Sequence, residues 1–189
     1  MARGGMYDLI WRVRQMTDTA GTAGTAVWTD DEMQSVMDDH KYRVAREQLA
    51  REKTLLTSTT YEHKIFHSRY QDYEQGTAYF KIEDSAGSAR TWTTDYTADF
   101  QRGKVTTVAD QGGTSLYLTG WSYDLNGAAA DLWRMRAGQV SSYYSVRMDG
   151  HDLSRSQWFD HCEKMARMYD SRARAITVRP WRDGLVEDW

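Results

Sequence analysis

The apolar residues of this chain change their spacing twice, and that change limits the folds the chain can adopt. Residues 6–16 and 124–173 place apolar side chains every three or four positions, as one face of a helix does. Between about 59 and 121 apolar and polar side chains alternate instead, which is typical of strands with one buried face. Helices that enclose a run of short strands predict an α+β fold.

Capping residues mark three helix starts. Thr29 and Glu32 have the spacing of a capping box, in which each side chain satisfies a free backbone N–H group. Ser154 and Gln157 repeat this spacing before the last helix. Asp124 precedes an alanine-rich apolar stretch and is predicted to be an N-cap.

The segment between the helices predicts an antiparallel meander of short strands. In "TAYFKIED", Phe80 and Ile82 alternate with residues of the opposite face, and Leu116 and Leu118 share one parity further on. The stretches "DSAGSA", "QRGK" and "DQGGTS" have the composition of turns. These turns divide the segment into strands of a few residues each.

Residues 41–56 fit either a helix or a strand. "AREQLAREK" has helix propensity, but Tyr42, Val44 and Arg46 alternate as in a strand. The glycine–threonine–alanine repeat at 19–26 has nothing to bury and predicts a flexible loop.

Together these elements predict a helical bundle of about four helices with an inserted antiparallel β-meander. We assign residues 1–58 and 122–173 to the helical core and residues 59–121 to the inserted β region. Residues 174–189, "RAITVRPWRDGLVEDW", are predicted to form an extended C-terminal tail.

The apolar inventory favours a chain that completes its burial against partners. Leu, Ile, Val and Phe make only 28 of 189 residues, whereas the chain has 8 Trp, 12 Tyr and 9 Met. Of its 24 basic residues, 18 are Arg. Trp, Tyr, Met and Arg are enriched at protein–protein interfaces, and Lys is depleted there. The alternative is an aromatic-rich core in a monomer.

Charge and cysteine content exclude several classes of protein. A net charge of −3 provides no overall basic footprint for nucleic acid, and the basic run from Arg43 to Lys53 contains acids and is interpreted as a solvated face. A single cysteine excludes an internal disulfide framework. No stretch reaches the length of a membrane span, so we expect a soluble protein made in a cytoplasm, with no membrane partner.

The reactive residues do not make a workable catalytic or metal-binding set. Cys162 falls on the apolar stripe of its helix, while the adjacent His161 points elsewhere, so they cannot act as nucleophile and base. His63 and His67 in one strand would be about 13 Å apart, too far for one zinc ion. We therefore expect no enzyme activity, no metal and no cofactor, and a buried Cys162.

Residues 123–173 combine several specific features in one run, "YDLNGAAADLWRMRAGQVSSYYSVRMDGHDLSRSQWFDHCEKMARMYDSRA". A tyrosine–aspartate start leads into an alanine-rich helix with tryptophan, then a turn with "DG", then a helix that opens with serine–arginine–serine–glutamine. This run resembles the C-terminal half of the head–tail connector proteins, also called adaptor or neck proteins, of tailed bacteriophages. The hairpin sequence upstream, from residue 95, is similar as well.

The resemblance implies a structural virion protein that forms a ring, usually of twelve copies, below the portal vertex. Such a ring joins capsid to tail in the neck of the virion, and double-stranded DNA passes through its lumen without sequence-specific binding. The implied partners are identical copies, the portal protein and a tail or next neck protein; contacts with capsid or fibres stay open. Assembly would take place in the host cytoplasm.

The last helices and the tail are expected to carry the interface. In this family the C-terminal segment tends to reach up to the portal, so the resemblance gives residues 174–189 a docking role. Aromatic and Arg side chains are the usual anchors of interfaces. The predicted interface residues are Trp133, Arg136, Trp158, Arg179, Trp181, Arg182 and Trp189.

Two other functions stay open. One is a β-rich binding module with an aromatic platform for a sugar or receptor contact. The other is a small hydrolase that uses acids such as the neighbouring Asp38 and Asp39, although adjacent carboxylates are usually solvated. The platform residues would be Tyr79, Trp92, Tyr96 and Trp121.

Overall fold

Four α-helices and two main antiparallel β-sheets build the parts of the chain that the computed structural model describes, residues 2–17, 27–55, 61–142, 147–148, 151–152 and 155–174. A 3-10 turn at Gly4–Met6 precedes the first helix. The helices are α1 (Tyr7–Met16), α2 (Asp30–Asp39), α3 (Leu125–Ser142) and α4 (Arg155–Asp170). The strands are β1 (Lys41–Gln48), β2 (Ala50–Leu55), β3 (Tyr61–His67), β4 (Phe80–Asp84), β5 (Tyr96–Asp99), β6 (Lys104–Thr107), β7 (Leu116–Tyr123), β8 (Arg147–Met148) and β9 (His151–Asp152).

The first sheet has the strand order β1-β7-β4 and the second has the order β2-β3-β6-β5, while β8 and β9 form a separate hairpin. All neighbouring strands are antiparallel. Only Leu49 separates β1 from β2, so one bent stretch of chain enters both sheets. The N–H group of Leu49 donates to the carbonyl of Leu116 at 2.9 Å and fixes this corner.

The predicted helical bundle with a single inserted meander is wrong. The protein is a mixed α/β structure with a three-stranded and a four-stranded antiparallel sheet, and its strands begin at Lys41 rather than near residue 59. "AREQLAREK" has helix propensity, but it pairs with β7 and β3 and buries Leu49 in the sheet core, next to the buried Val44 that precedes it. Tertiary pairing and burial therefore override local propensity here.

The two main sheets enclose one apolar core. The inward side chains of the strands, among them Phe66, Ile82, Leu116 and Leu118, are completely buried, which confirms the alternation predicted for β4 and β7. Aromatic rings pack edge to face at the end of this core, where the Phe80 centroid lies 5.2 Å from Tyr73 and 5.0 Å from Phe100.

A second core lies between α1, α2 and the first turns of α3. The predicted apolar face of α1 is confirmed, since Leu9, Ile10 and Val13 are buried. Met33 and Met37 of α2 pack into the same core. Tyr123, the last residue of β7, and Leu125 of α3 also belong to it. The helices thus cover one end of the first sheet.

The predicted caps of α2 and α3 are confirmed. The Thr29 hydroxyl accepts the Glu32 N–H at 3.2 Å, and the Glu32 carboxylate accepts the Thr29 N–H at 2.8 Å. The Asp124 carboxylate accepts the N–H groups of Asn126 at 3.1 Å and Gly127 at 3.2 Å. Both caps satisfy backbone donors that have no partner inside the helix.

A third, smaller core joins α3 to α4. Cys162 and Ala166 of α4 are buried against Trp133 of α3, which confirms the prediction of a core cysteine. The predicted cap at Ser154 and the repeat at 19–26 lie outside the described residues.

Candidate functional site

Three of the predicted interface residues come together between α3 and α4. The guanidinium carbon of Arg136 lies 5.4 Å from the Trp133 ring centroid and 5.1 Å from the Trp158 ring centroid. Both distances are within the range of cation–π attraction. The other predicted interface residues, which are Arg179, Trp181, Arg182 and Trp189, lie outside the described residues.

Helical spacing explains this arrangement and adds a fourth member. Trp133 and Arg136 are three residues apart on α3, as are Trp158 and His161 on α4, so each pair shares a helix face. The His161 ring centroid is 5.7 Å from each tryptophan, edge to face with Trp133 and stacked on Trp158. His161 was not among the predicted interface residues, although its spacing from Trp158 was the signal for it. We call these four residues the Trp158 cluster.

The inner side of the Trp158 cluster is anchored to α1. Trp133 is 3% exposed, and its indole N–H donates to the Met16 carbonyl at 3.3 Å. The Arg136 guanidinium donates to the Thr17 carbonyl at 3.4 Å. Carbonyls at the end of a helix have no partner inside it, so these contacts close the C-terminal end of α1. Trp133 therefore positions the cluster rather than offering a surface to a partner.

The outer side of the Trp158 cluster is open to solvent. Trp158 is 38% exposed and the neighbouring Phe159 is 36% exposed. Phe159 lies three residues before Cys162 on the apolar stripe of α4, but the packed part of that stripe is formed by Cys162 and Ala166, and the described residues leave Phe159 uncovered. Exposed aromatic rings beside a fixed guanidinium have the chemistry of an interface anchor.

Cys162 and His161 do not form a nucleophile–base pair. The Cys162 side chain is fully buried, and this burial raises the pKa of its thiol, which disfavours the thiolate. The His161 ring instead packs against the two tryptophans of the Trp158 cluster. The arrangement supports packing and recognition rather than covalent catalysis.

We expect Cys162 to react with a thiol reagent such as DTNB only when the chain opens. Labelling at pH 8 should be at least about a hundredfold slower in buffer than in urea, because access requires separation of α3 from α4. Cys162 is the single cysteine of the chain, so the absorbance of the released thiolate reports on it alone. Equal rates in buffer and in urea would contradict the burial.

The two histidines considered for a metal site have separate partners. The His67 Nε2 atom lies 2.8 Å from the Glu52 carboxylate across the β2–β3 pair. The backbone N–H group of His63, not its ring, donates to the Asp110 carboxylate at 2.9 Å. Within the described ranges, no three His, Cys, Asp or Glu residues are grouped so as to hold a metal ion.

The aromatic residues proposed as a binding platform do not share one surface. Tyr96 is 2% exposed, and Trp92 packs edge to face on Phe100 at a centroid distance of 5.4 Å. Trp121 lies in β7 of the other sheet, and its N–H donates at 3.1 Å to the carbonyl of Tyr79, the residue before β4. The predicted platform was wrong, because the sequence did not show which sheet each of these aromatic residues would join.

A polar network that was not predicted joins the start of the chain to α2 and β7. The Arg3 guanidinium contacts the Asp38 carboxylate at 2.6 Å and the Glu74 carboxylate at 2.8 Å. The Tyr123 hydroxyl donates to Glu74 at 2.7 Å, and the Glu74 side chain is only 1% exposed. Asp38 was predicted to be solvated, but Arg3 reaches it from 35 residues away in sequence.

The charges of this network are mutually stabilising. Burial alone would raise the pKa of Asp38, but the hydrogen bonds and charge of Arg3, with the charge of Lys41, hold that pKa below its usual value. Burial and the Glu74 carboxylate raise the pKa of the Tyr123 hydroxyl, which therefore stays protonated and donates. The network is best understood as a structural clasp.

Comparison of the chain with known protein families, with curated proteins and with solved structures finds no match. None of the helices in the described ranges has both the length and the apolar character needed to cross a membrane. Function is therefore inferred from the geometry of this chain and from the sequence features described above.

Proposed function

We propose that the protein is a structural virion protein, a head–tail connector that forms a ring below the portal vertex of a tailed bacteriophage. Residues 123–173, which resemble that family, contain α3 and α4 and therefore the whole Trp158 cluster. The observation that carries the proposal is this cluster, an exposed indole held against a guanidinium and an imidazole on one helix pair.

The Trp158 cluster has the properties that a subunit contact in a ring requires. Each copy in a closed ring contributes two different surfaces, so one rigid patch can meet a second patch on the next copy. Trp and Arg dominate the binding energy of interfaces. The guanidinium of Arg136 is already held by two rings and by the Thr17 carbonyl, so it loses little freedom on binding.

In this proposal the ring occupies the neck of the virion, between head and tail, after assembly in the host cytoplasm. Its partners are identical copies, the portal protein and the next neck or tail protein. Double-stranded DNA passes through the lumen, and the protein acts by binding, without an enzymatic step or a cofactor. The C-terminal tail provides the contact with the portal.

Arg174 belongs to the folded body and not to the tail in which it was predicted. Its N–H group donates to Asp124 at 2.6 Å, and its guanidinium donates to the Ser122 hydroxyl at 2.8 Å and the Gln71 carbonyl at 3.2 Å. A deletion that tests the tail alone therefore removes residues 175–189 and keeps Arg174.

We expect Trp158→Ala to weaken ring formation on the portal. Loss of a central aromatic anchor costs at least about 2 kcal/mol, or about thirtyfold in affinity. The measurement is particle mass by size exclusion with light scattering, with and without the portal protein of the same genome. Trp11→Ala is the matched control, because Trp11 is 55% exposed on α1, outside the Trp158 cluster.

Deletion of residues 175–189 in the same assay is expected to abolish portal binding while the thermal unfolding of the chain stays unchanged. A full-length chain that forms no complex with the portal protein would overturn the connector proposal. Normal portal binding by the shortened chain would overturn the docking role of the tail. Equal losses for Trp158→Ala and Trp11→Ala would remove the Trp158 cluster from the interface.

A further inference from the structure

The face of the β1-β7-β4 sheet that points away from the inter-sheet core carries a row of cations. Lys41 and Arg43 of β1 and Lys81 of β4 are exposed on this face, as is Arg46 of β1. Within the described residues none of these four forms an ion pair with a carboxylate, and Glu83 is the acid that shares the face. We call this surface the basic sheet face.

A β-bulge places Arg46 on the basic sheet face. Strict alternation would put Arg46 on the same side as Val44, which is buried in the inter-sheet core. The register of β1 against β7 shifts between Val44 and Glu47, and Arg46 takes a positive φ of 46° there. The Arg46 N–H donates to the Thr119 hydroxyl at 3.1 Å, and its side chain turns outward. The bulge thus extends the row of cations by one member.

Aromatic rings of β7 hold three of these cations in place. The Lys41 Nζ atom lies 5.4 Å and the Arg43 guanidinium carbon 6.0 Å from the Trp121 centroid. The Arg46 guanidinium carbon lies 5.1 Å from the Tyr117 centroid. Cation–π contact orders the side chains but leaves their charge and most of their N–H groups available to a second partner.

The geometry of this face favours phosphate groups over nucleobases. Lys41 and Arg43 both lie over Trp121, and Arg46 lies over Tyr117, so these rings are covered and do not offer an open stacking platform for bases. Unpaired Lys and Arg side chains neutralise backbone phosphates without regard to sequence.

Several acids of α2 already have partners within the chain, so they are not free to pair with these cations on a second copy. Asp30 pairs with Arg14, and Asp38 pairs with Arg3. Glu32 closes the capping box of the same helix. The unpaired positive charge of the basic sheet face is complementary to a polyanion from outside the chain.

We propose that the basic sheet face binds the phosphate backbone of double-stranded DNA. The inference rests on the proposed function for its choice of DNA over other polyphosphates, since a connector meets duplex DNA in its passage. Four cations give an expected slope of about −3.6 in a plot of log affinity against log salt concentration. Such a contact is weak and independent of sequence, so DNA could move along it.

The test uses the full chain and a fluorescein-labelled 20-base-pair duplex, with binding followed by anisotropy between 50 and 200 mM NaCl. The face variant combines Arg43→Gln, Arg46→Gln and Lys81→Gln; Lys41 is kept because its charge also acts on Asp38. The wild-type slope is expected to be about −3.6 and that of the face variant about −0.9, because each lost phosphate contact removes about 0.9.

The matched control combines Lys53→Gln, Arg69→Gln and Lys164→Gln, three exposed cations outside the basic sheet face with the same change in net charge. This control should keep the wild-type slope. Arg46→Gly removes one cation with a residue that tolerates the positive φ of the bulge. The salt-dependence slope of this variant should be shallower than that of the wild type by about 0.9.

Binding of the duplex with the predicted loss of slope in the face variant alone would support the proposal. Absence of duplex binding at 50 mM NaCl, or equal slopes in all variants, would overturn it, as would equal losses in the face variant and its control. Binding of poly-glutamate as tightly as DNA would point to an acidic protein instead. Portal binding by the face variant is measured separately, by particle mass. A failure of the DNA-binding proposal therefore leaves the connector proposal intact.

Discussion

Arg3→Met is expected to lower the free energy of unfolding by about 3 kcal/mol, because it leaves the buried Glu74 carboxylate without its cation. The Glu74 side chain is 1% exposed, and after the substitution the Tyr123 hydroxyl is the hydrogen-bond donor that still faces it in the network. Methionine fills much of the arginine stem volume, so the loss is chiefly electrostatic. Urea unfolding at pH 7, followed by tryptophan fluorescence, measures the change.

Arg14→Met is the matched control for this prediction. Arg14 pairs with Asp30, whose side chain is 59% exposed, and exposed ion pairs contribute at most about 1 kcal/mol. The double variant Arg3→Met with Glu74→Gln should recover part of the stability, since it removes the unpaired buried charge. Equal losses for Arg3→Met and Arg14→Met would show that the network contributes no more than a surface pair.

The wild type and Arg3→Met should also differ in their response to acid. Arg3 holds the pKa of Asp38 below its usual value, so the ionised carboxylate stabilises the fold at and above the unfolded pKa of about 3.9. This contribution is lost as the pH falls through the lower pKa of the folded state. The stability gap between the wild type and Arg3→Met is therefore expected to narrow below about pH 4.

Local sequence signals identified the elements whose partners are close in the chain. The spacing of Thr29 and Glu32 located the start of α2, and the alternation of Phe80 and Ile82 located the buried face of β4. Residues 41–55 could not be assigned in this way, because their strand state depends on pairing with β3 and β7 rather than on propensity. That long-range pairing is why the predicted fold class was wrong.

In the candidate surfaces, too, the sequence predicts contacts between residues that are close in the chain but not contacts between residues that are far apart in it. Trp133 and Arg136 are three residues apart on α3, so helical spacing places both on the face that meets Trp158 of α4; their role at an interface stays a prediction. The contacts of Arg3 span up to 120 residues, and each charge of that network, taken alone, looks like an ordinary solvated side chain. The bulge that turns Arg46 outward could not be predicted from the alternation of apolar residues. An extra residue in one strand is recognised only when that strand is compared with its partner.

Gly103→Ala is expected to destabilise the protein by at least about 3 kcal/mol, because it combines backbone strain with a steric clash. Gly103 closes the turn between β5 and β6 with a φ of +62°. A Cβ atom at this position would lie 2.2 Å from the Tyr70 carbonyl oxygen and 3.2 Å from the Ser68 Cβ atom. The Gly103 carbonyl also accepts the Ser68 N–H at 2.9 Å, so the turn cannot move away without losing this bond.

Gly112→Ala separates the two causes of this destabilisation. Gly112 has a φ of +53°, and a Cβ atom added there would meet nothing within 4 Å, so its substitution carries the left-handed backbone cost alone, about 1–2 kcal/mol. The difference between the two variants in urea unfolding measures the close approach of Gly103 to Tyr70. Gly103→Ala alone should also alter the near-UV circular dichroism, because the buried Tyr73 hydroxyl lies 2.6 Å from the Ser68 hydroxyl. Equal losses in the two glycine variants would mean that the β5–β6 turn tolerates a side chain against the Tyr70 carbonyl.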